Sequence, residues 1–140
     1  MFKNLKERAL DMYQKVKQTA EQAEVTINKF VSDNRHSDNQ EIVIILANEL
    51  VNLINKQTVE QAEVTIKKLA ELAADNRYSD NQKIVIEYAN GLINLANKQT
   101  AEQVVVTINK LAELAADSRY SDNQEIVLCY AKGLTNSKGK

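Results

Sequence analysis

The sequence predicts an all-α chain, an α-solenoid of antiparallel helix hairpins, and three observations carry that prediction. First, a long block recurs. Lys56 to Leu92 reads KQTVEQAEVTIKKLAELAADNRYSDNQKIVIEYANGL, and Lys98 to Leu134, 42 residues on, reads KQTAEQVVVTINKLAELAADSRYSDNQEIVLCYAKGL; a shorter copy begins at Lys17. Second, each copy holds two helix-start signals, Ser-Asp-Asn-Gln at Ser37, Ser79 and Ser121, and Thr-x-Glu-Gln at Thr19, Thr58 and Thr100. In such a capping box the hydroxyl and the later Gln satisfy two orphan amides reciprocally. Third, apolar residues after each signal fall at helical spacings of three and four rather than alternating. Units that cannot bury their faces alone stack on their neighbours.

We call the helix after each Ser signal A and the helix after each Thr signal B. Residues 1–38 form a degenerate first repeat. Its opening sixteen residues place Phe2, Leu5, Ala9, Met12, Tyr13 and Val16 on one face and Lys3, Glu7, Arg8 and Asp11 largely around the other, which suits a terminal cap. The first B helix, Thr19 to about Ser32, is three residues short, because Lys17 to Lys56 spans 39 positions instead of 42. That is about one turn of 3.6 residues, so the apolar stripe slips without reversing.

Residues 39–78 are the second repeat and 79–120 the third. The second B helix sets Val59, Ala62, Ile66, Leu69, Ala70 and Ala73 on one face; the third A helix, from Asn81, sets Val85, Tyr88, Ala89, Leu92, Leu95 and Ala96 on one face. The connections Asn97-Lys98-Gln99 and Asp75-Asn76-Arg77-Tyr78 are short enough to force antiparallel neighbours. Residues 121–135 close the array as a capping helix. There Thr135 replaces Ile93, and Ser137 and Lys138 replace Leu95 and Ala96, before the polar tail 136–140. The expected order is seven helices: A, B, A, B, A, B, A.

Composition narrows the function. A chain of 140 residues with 44% hydrophobic and 26% charged residues buries its own core without staples. A net charge of -1 gives no field to gather phosphates or anionic lipid, so neither nucleic acid nor membrane is an expected partner. One Cys and one His offer no disulfide and no metal cage, and no cofactor is expected. The opening run has no signal-peptide core, no N-x-S/T site occurs, and a reducing cytoplasm is the expected location.

On these residues the unit resembles a tetratricopeptide repeat (TPR), in a longer TPR-like form with a 42-residue period. Ala62, Ile66 and Leu69 stand at that family's small, aromatic and small contact positions in the B helix. Val85, Tyr88, Ala89 and Leu92 stand at the large, leucine, small and aromatic positions of the A helix. No Trp opens the A helix, no Pro closes the unit, and the period exceeds the family's usual ~34 residues. The resemblance implies a right-handed superhelix whose concave wall, made mainly by A helices, grips peptides or partner proteins.

In that orientation the groove rows are Glu41, Ile44, Asn48, Val51 and Asn52, then Lys83, Ile86, Asn90, Ile93 and Asn94, then Glu125, Leu128, Lys132, Thr135 and Asn136. An apolar floor beside a ladder of amides can bind a peptide backbone. The competing reading makes Ile44, Ile86 and Leu128 core and pairs the Asn residues along the stack.

Other groups have structural readings. Arg35, Arg77 and Arg119, each followed by His36, Tyr78 or Tyr120, lie just past B-helix C-termini. There a cation complements the dipole while the aromatic wedges between repeats. Position 45 varies as Ile45, Glu87 and Cys129, which reads as a rim site, and no base stands beside Cys129 to make it a nucleophile. Glu60, Glu63 and Glu71 with Lys67 and Lys68 read as a solvated, pairing face.

The leading expectation is a non-enzymatic scaffold for a protein or peptide segment, bound in the A-helix groove. The alternative is a structural array that self-associates end to end, or a consensus-like array with no ligand. Every repeat interface is head to tail, and Ile126, Val127, Leu128 and Tyr130 could dock on another copy. Enzyme motifs are lacking: there is no Gly-rich phosphate loop and no Ser/His/Asp grouping.

Overall fold

The computed structural model describes residues 39–78 and 80–138, together with Val25 and Lys29. Among the described residues there are five α-helices and no strand: α1 Gln40–Ile54, α2 Val59–Ala74, α3 Gln82–Lys98, α4 Ala101–Ala116 and α5 Gln124–Lys138. Seven were expected. The first two fall in residues 1–38, of which only Val25 and Lys29 are described, both helical.

The Thr signals cap as predicted. Gln61 N donates to Thr58 Oγ1 at 3.3 Å and Thr58 N donates back to Gln61 Oε1 at 3.1 Å. Thr100 and Gln103 repeat the box at 3.2 and 3.0 Å. Below each box a buried bond ties the turn to the helix it opens: Thr65 Oγ1 donates to Gln57 Oε1 at 2.8 Å, and Thr107 Oγ1 to Gln99 Oε1 at 2.6 Å.

The A helices begin later than the Ser signals predict; Ser37 and Ser79 themselves lie outside the described residues. The A helices are capped two residues later: Asn39 Oδ1 accepts from Glu41 N and Ile42 N, Asn81 Oδ1 from Lys83 N, and Asn123 Oδ1 from Glu125 N and Ile126 N. Backbone turns consume the intervening residues, with Tyr120 N donating to Asp117 O at 2.9 Å and Asn123 N to Tyr120 O at 2.8 Å. Ser121 is held inside that turn and donates to Ser118 O at 3.4 Å. Of three consecutive residues able to cap, the last one does so. The A-to-B connection is also tighter than predicted, since α3 runs through Asn97 to Lys98 and leaves only Gln99 and Thr100.

Side chains on the predicted stripes form the core. Leu46, Leu50, Leu69, Ile84, Leu92 and Leu111 are fully buried in or against one cluster that runs through all five helices. Each such side chain contributes about 1.5–3 kcal/mol relative to exposure. Helix α1 packs on α2 and α3; α3 packs on α1, α2, α4 and α5; α5 packs on α3 and α4. No Cα of α2 lies within 8 Å of one in α4. The A helices therefore touch in series while the B helices stand apart.

One position sets how closely A and B helices approach. A Cβ added at Gly91 would lie 2.7 Å from Leu69 Cδ1 and 2.9 Å from Ile66 Cδ1; at Gly133 it would lie 2.7 Å from Leu111 Cδ1 and 3.0 Å from Ile108 Cδ1. The equivalent residue of α1 is Glu49, which is buried.

Candidate functional site

The predicted rows emerge on one side of α1, α3 and α5, and most of their members keep access to solvent. Glu41, Asn48, Lys83, Glu125 and Lys132 are exposed, and Ile44, Asn52, Ile86, Asn90 and Asn94 are half-buried. Val51 departs from the expectation: it is buried, at the seam between α1 and α3. Leu128 departs from the competing reading, which made it core, because 56% of its surface is exposed.

The Asn side chains divide between the two readings. Asn48 Nδ2 donates to Glu87 Oε2 at 3.0 Å, and Cys129 Sγ donates to Asn90 Oδ1 at 3.4 Å. Both pairs span 39 residues, so that each joins the Asn of one A helix to the residue three places earlier in the repeat on the next A helix. Asn94 Nδ2 reaches Val51 O at 3.4 Å, and Asn136 Nδ2 reaches Asn97 Oδ1 at 3.1 Å. The ladder thus ties neighbouring units, mainly to groups other than Asn. It still leaves Asn48 Oδ1, which accepts from Asn52 Nδ2 at 3.3 Å, at an exposed rim.

Position 45 is not a loosely packed rim. Ile45 and Glu87 are half-buried and Cys129 is buried, and Glu87 and Cys129 each meet the Asn of the preceding A helix. Burial raises the Glu87 pKa above the ordinary carboxylate range, and the bond from Asn48 partly offsets it. Burial likewise raises the Cys129 thiol, with Lys132 opposing. A thiol so placed is a poor nucleophile.

The Arg-aromatic pairs are structural. Arg77 grips Asp75 with Nε at 3.3 Å and Nη2 at 3.1 Å and lies 5.2 Å from the centre of the Tyr78 ring. Arg119 repeats this with Asp117 at 3.2 and 2.9 Å and with Tyr120 at 4.9 Å. The Arg119 hydrogen bonds hold the Asp117 carboxyl below the usual aspartate range. Tyr78 and Tyr120 are buried, as the wedge reading requires. Arg35 and His36 lie outside the described residues.

Two features escaped the sequence reading. Gln40 and Gln82 do not close their own caps. Gln40 Nε2 donates to Arg77 O at 3.3 Å while its Oε1 accepts from Asn81 Nδ2 at 2.6 Å; Gln82 makes the same bonds to Arg119 O at 3.4 Å and from Asn123 Nδ2 at 2.5 Å. The second feature is a cleft of about 310 Å³ between α2 and α4, floored by Ile66 and Leu95 and flanked by Lys67, Lys110 and Val106. The pattern of the third copy held one clue, the apolar run Val104-Val105-Val106, of which Val105 and Val106 are exposed.

Among the described residues no group of His, Cys, Asp and Glu could hold a metal ion, and no helix is long and apolar enough to cross a membrane. No protein-family model, curated protein or solved structure matches this chain.

Proposed function

We propose that this chain is a non-enzymatic scaffold of the TPR-like kind, working in the cytoplasm, which holds an extended protein or peptide segment along the row of A helices. Support comes from the packing. A helices that touch in series, beside B helices that stand apart, suit a superhelix curved toward its A side. The observation that carries the reading is the exposure of apolar side chains within an otherwise polar row. Ile44 and Ile86 are half-buried, packed against the core yet reaching the surface between Glu41 and Asn48 and between Lys83 and Asn90, and the exposed Leu128 continues the row. Such a strip offers pockets for alternate side chains and amides for the backbone between them.

Selection of peptides from a displayed random library on the full chain tests this. Selected peptides should lose at least tenfold in affinity on Asn90→Ala or Ile86→Ser and be indifferent to Val106→Ser, which alters the opposite cleft. Peptides that respond only to Val106→Ser would move the site to the α2–α4 side and end the groove assignment.

A further inference from the structure

The outer face of α5 carries, uncovered, residues that the fold buries in each earlier copy. Val43 and Val85 are fully buried, whereas Val127 at the same position is 41% exposed. Ala47 and Ala89 are buried and Ala131 is exposed; Ile44 and Ile86 are half-buried and Leu128 is exposed. On α1 and α3 a following A helix packs, and Val85 is buried with Ala73, Tyr120 and Ile126. The α5 face continues that established interface without its cover.

We infer that this face pairs with itself in a second copy of the chain, the two α5 helices lying antiparallel across a two-fold axis beside Leu128. Glu125, Leu128 and Lys132 follow at spacings of three and four, so they form one stripe. In an antiparallel pair, residues equidistant from the axis meet. Glu125 of each copy then faces Lys132 of the other, and two ion pairs of opposite sense flank a Leu128–Leu128 contact. Val127 and Ala131 widen the apolar strip on one side. Such a surface is self-complementary, as a closed two-fold dimer demands.

Head-to-tail stacking fits less well. It would set this strip against residues 1–16 of another copy, a sequence charged outside its single apolar stripe, at Lys3, Glu7, Arg8 and Asp11. One helix face is small beside the roughly 1,200 Å² of a tight complex, so the dimer is a weak and reversible one. The pairing does not depend on the peptide-binding reading.

Sedimentation velocity of the full chain over a wide concentration range tests it. The expected result is a monomer–dimer equilibrium. Leu128→Glu should raise the dissociation constant at least tenfold with an unchanged far-UV circular dichroism spectrum, since Leu128 is largely solvated. Glu125→Lys and Lys132→Glu should each weaken the dimer several-fold, and the double exchange should restore it. Leu128→Cys in a Cys129→Ser background, where the serine hydroxyl can still donate to Asn90, should form an interchain disulfide on oxidation. A monomer at every concentration, species that grow beyond two copies, or a dimer indifferent to Leu128→Glu and to the charge exchange would each overturn the proposal.

Discussion

Asn123 Nδ2 donates to Gln82 Oε1 at 2.5 Å, across 41 residues of sequence, while the Oδ1 of the same Asn123 caps the helix that it opens. Asn81 joins Gln40 in the same way at 2.6 Å. One side chain therefore starts an A helix and fastens it to the previous one, so helix formation and stacking are set by the same residue.

These two roles separate by mutation. Gln82→Ala removes both of its links, the bond from Asn123 Nδ2 and the bond to Arg119 O, and should cost about 0.5–1.5 kcal/mol for each. Asn123→Ala removes the first of these links and the cap, and loss of the cap should cost roughly a further 1 kcal/mol. Urea unfolding of the two variants and of the double variant measures the coupling. Equal costs for the two single variants would show that the cap contributes no more than the bond from Gln82 to Arg119 O.

The buried turn bond gives a sharper contrast. Thr107→Val keeps the shape of the side chain but leaves the Gln99 acceptor, buried with 6% of its surface exposed, without the bond that spans 2.6 Å. An unsatisfied buried group costs about 1–3 kcal/mol, whereas two apolar partners of similar shape are close to neutral. Thr107→Val should therefore destabilise, and Thr107→Val with Gln99→Leu should recover much of the loss. Thermal unfolding midpoints of the three chains decide it.

The elements were legible because their signals are local. Thr58 with Gln61 and Thr100 with Gln103 satisfy each other within one turn, so their spacing alone fixes their partners. Gln40 and Gln82 stand in the same kind of pattern but bond across the stack, and no spacing within a copy distinguishes the two outcomes. Position 45 misled for a related reason. Its variability suggests a loose rim, yet Glu87 and Cys129 meet the same partner, the Asn at the equivalent place in the preceding A helix, because an amide can donate to a carboxylate and accept from a thiol. The candidate rows were legible as a face of the A helices. Their accessibility was not: Ile44 and Ile86 are half-buried while Leu128, at the same place in the last copy, is exposed.

Gly91 tests how tightly the units interlock. An Ala there gains about 1 kcal/mol of helix propensity, yet its Cβ would press on Leu69 Cδ1 and Ile66 Cδ1 at 2.7 and 2.9 Å. Leu69 is fully buried and cannot yield freely, and overpacking of this kind costs roughly 1–3 kcal/mol. Gly91→Ala should therefore destabilise by about 1 kcal/mol. Gly133→Ala, whose Cβ would press on the equally buried Leu111 Cδ1 at 2.7 Å and on Ile108 Cδ1 at 3.0 Å, should cost less, because no A helix packs on the far side of α5 among the described residues and the helix can shift. Denaturant midpoints that reverse this order would show that the A–B packing relaxes more easily than the interlock implies.

Two carboxyls should bend the pH profile of stability in opposite directions. Asp117 is held below its ordinary pKa by the Arg119 hydrogen bonds, so its contribution is present above the unfolded value and is lost as pH falls through the folded one. Glu87 is raised by burial. The stability linked to its protonation is complete below the ordinary glutamate value and is lost as pH rises through the folded pKa. Asp117→Asn should accordingly flatten the acid limb of the profile. Glu87→Gln, whose amide oxygen can still accept from Asn48, should stabilise the chain at neutral pH, with the gain vanishing as the solution is acidified past the ordinary glutamate value. Unfolding midpoints recorded across that range separate the two effects, and a Glu87→Gln variant no more stable than the parent at neutral pH would mean that the buried carboxylate carries no cost.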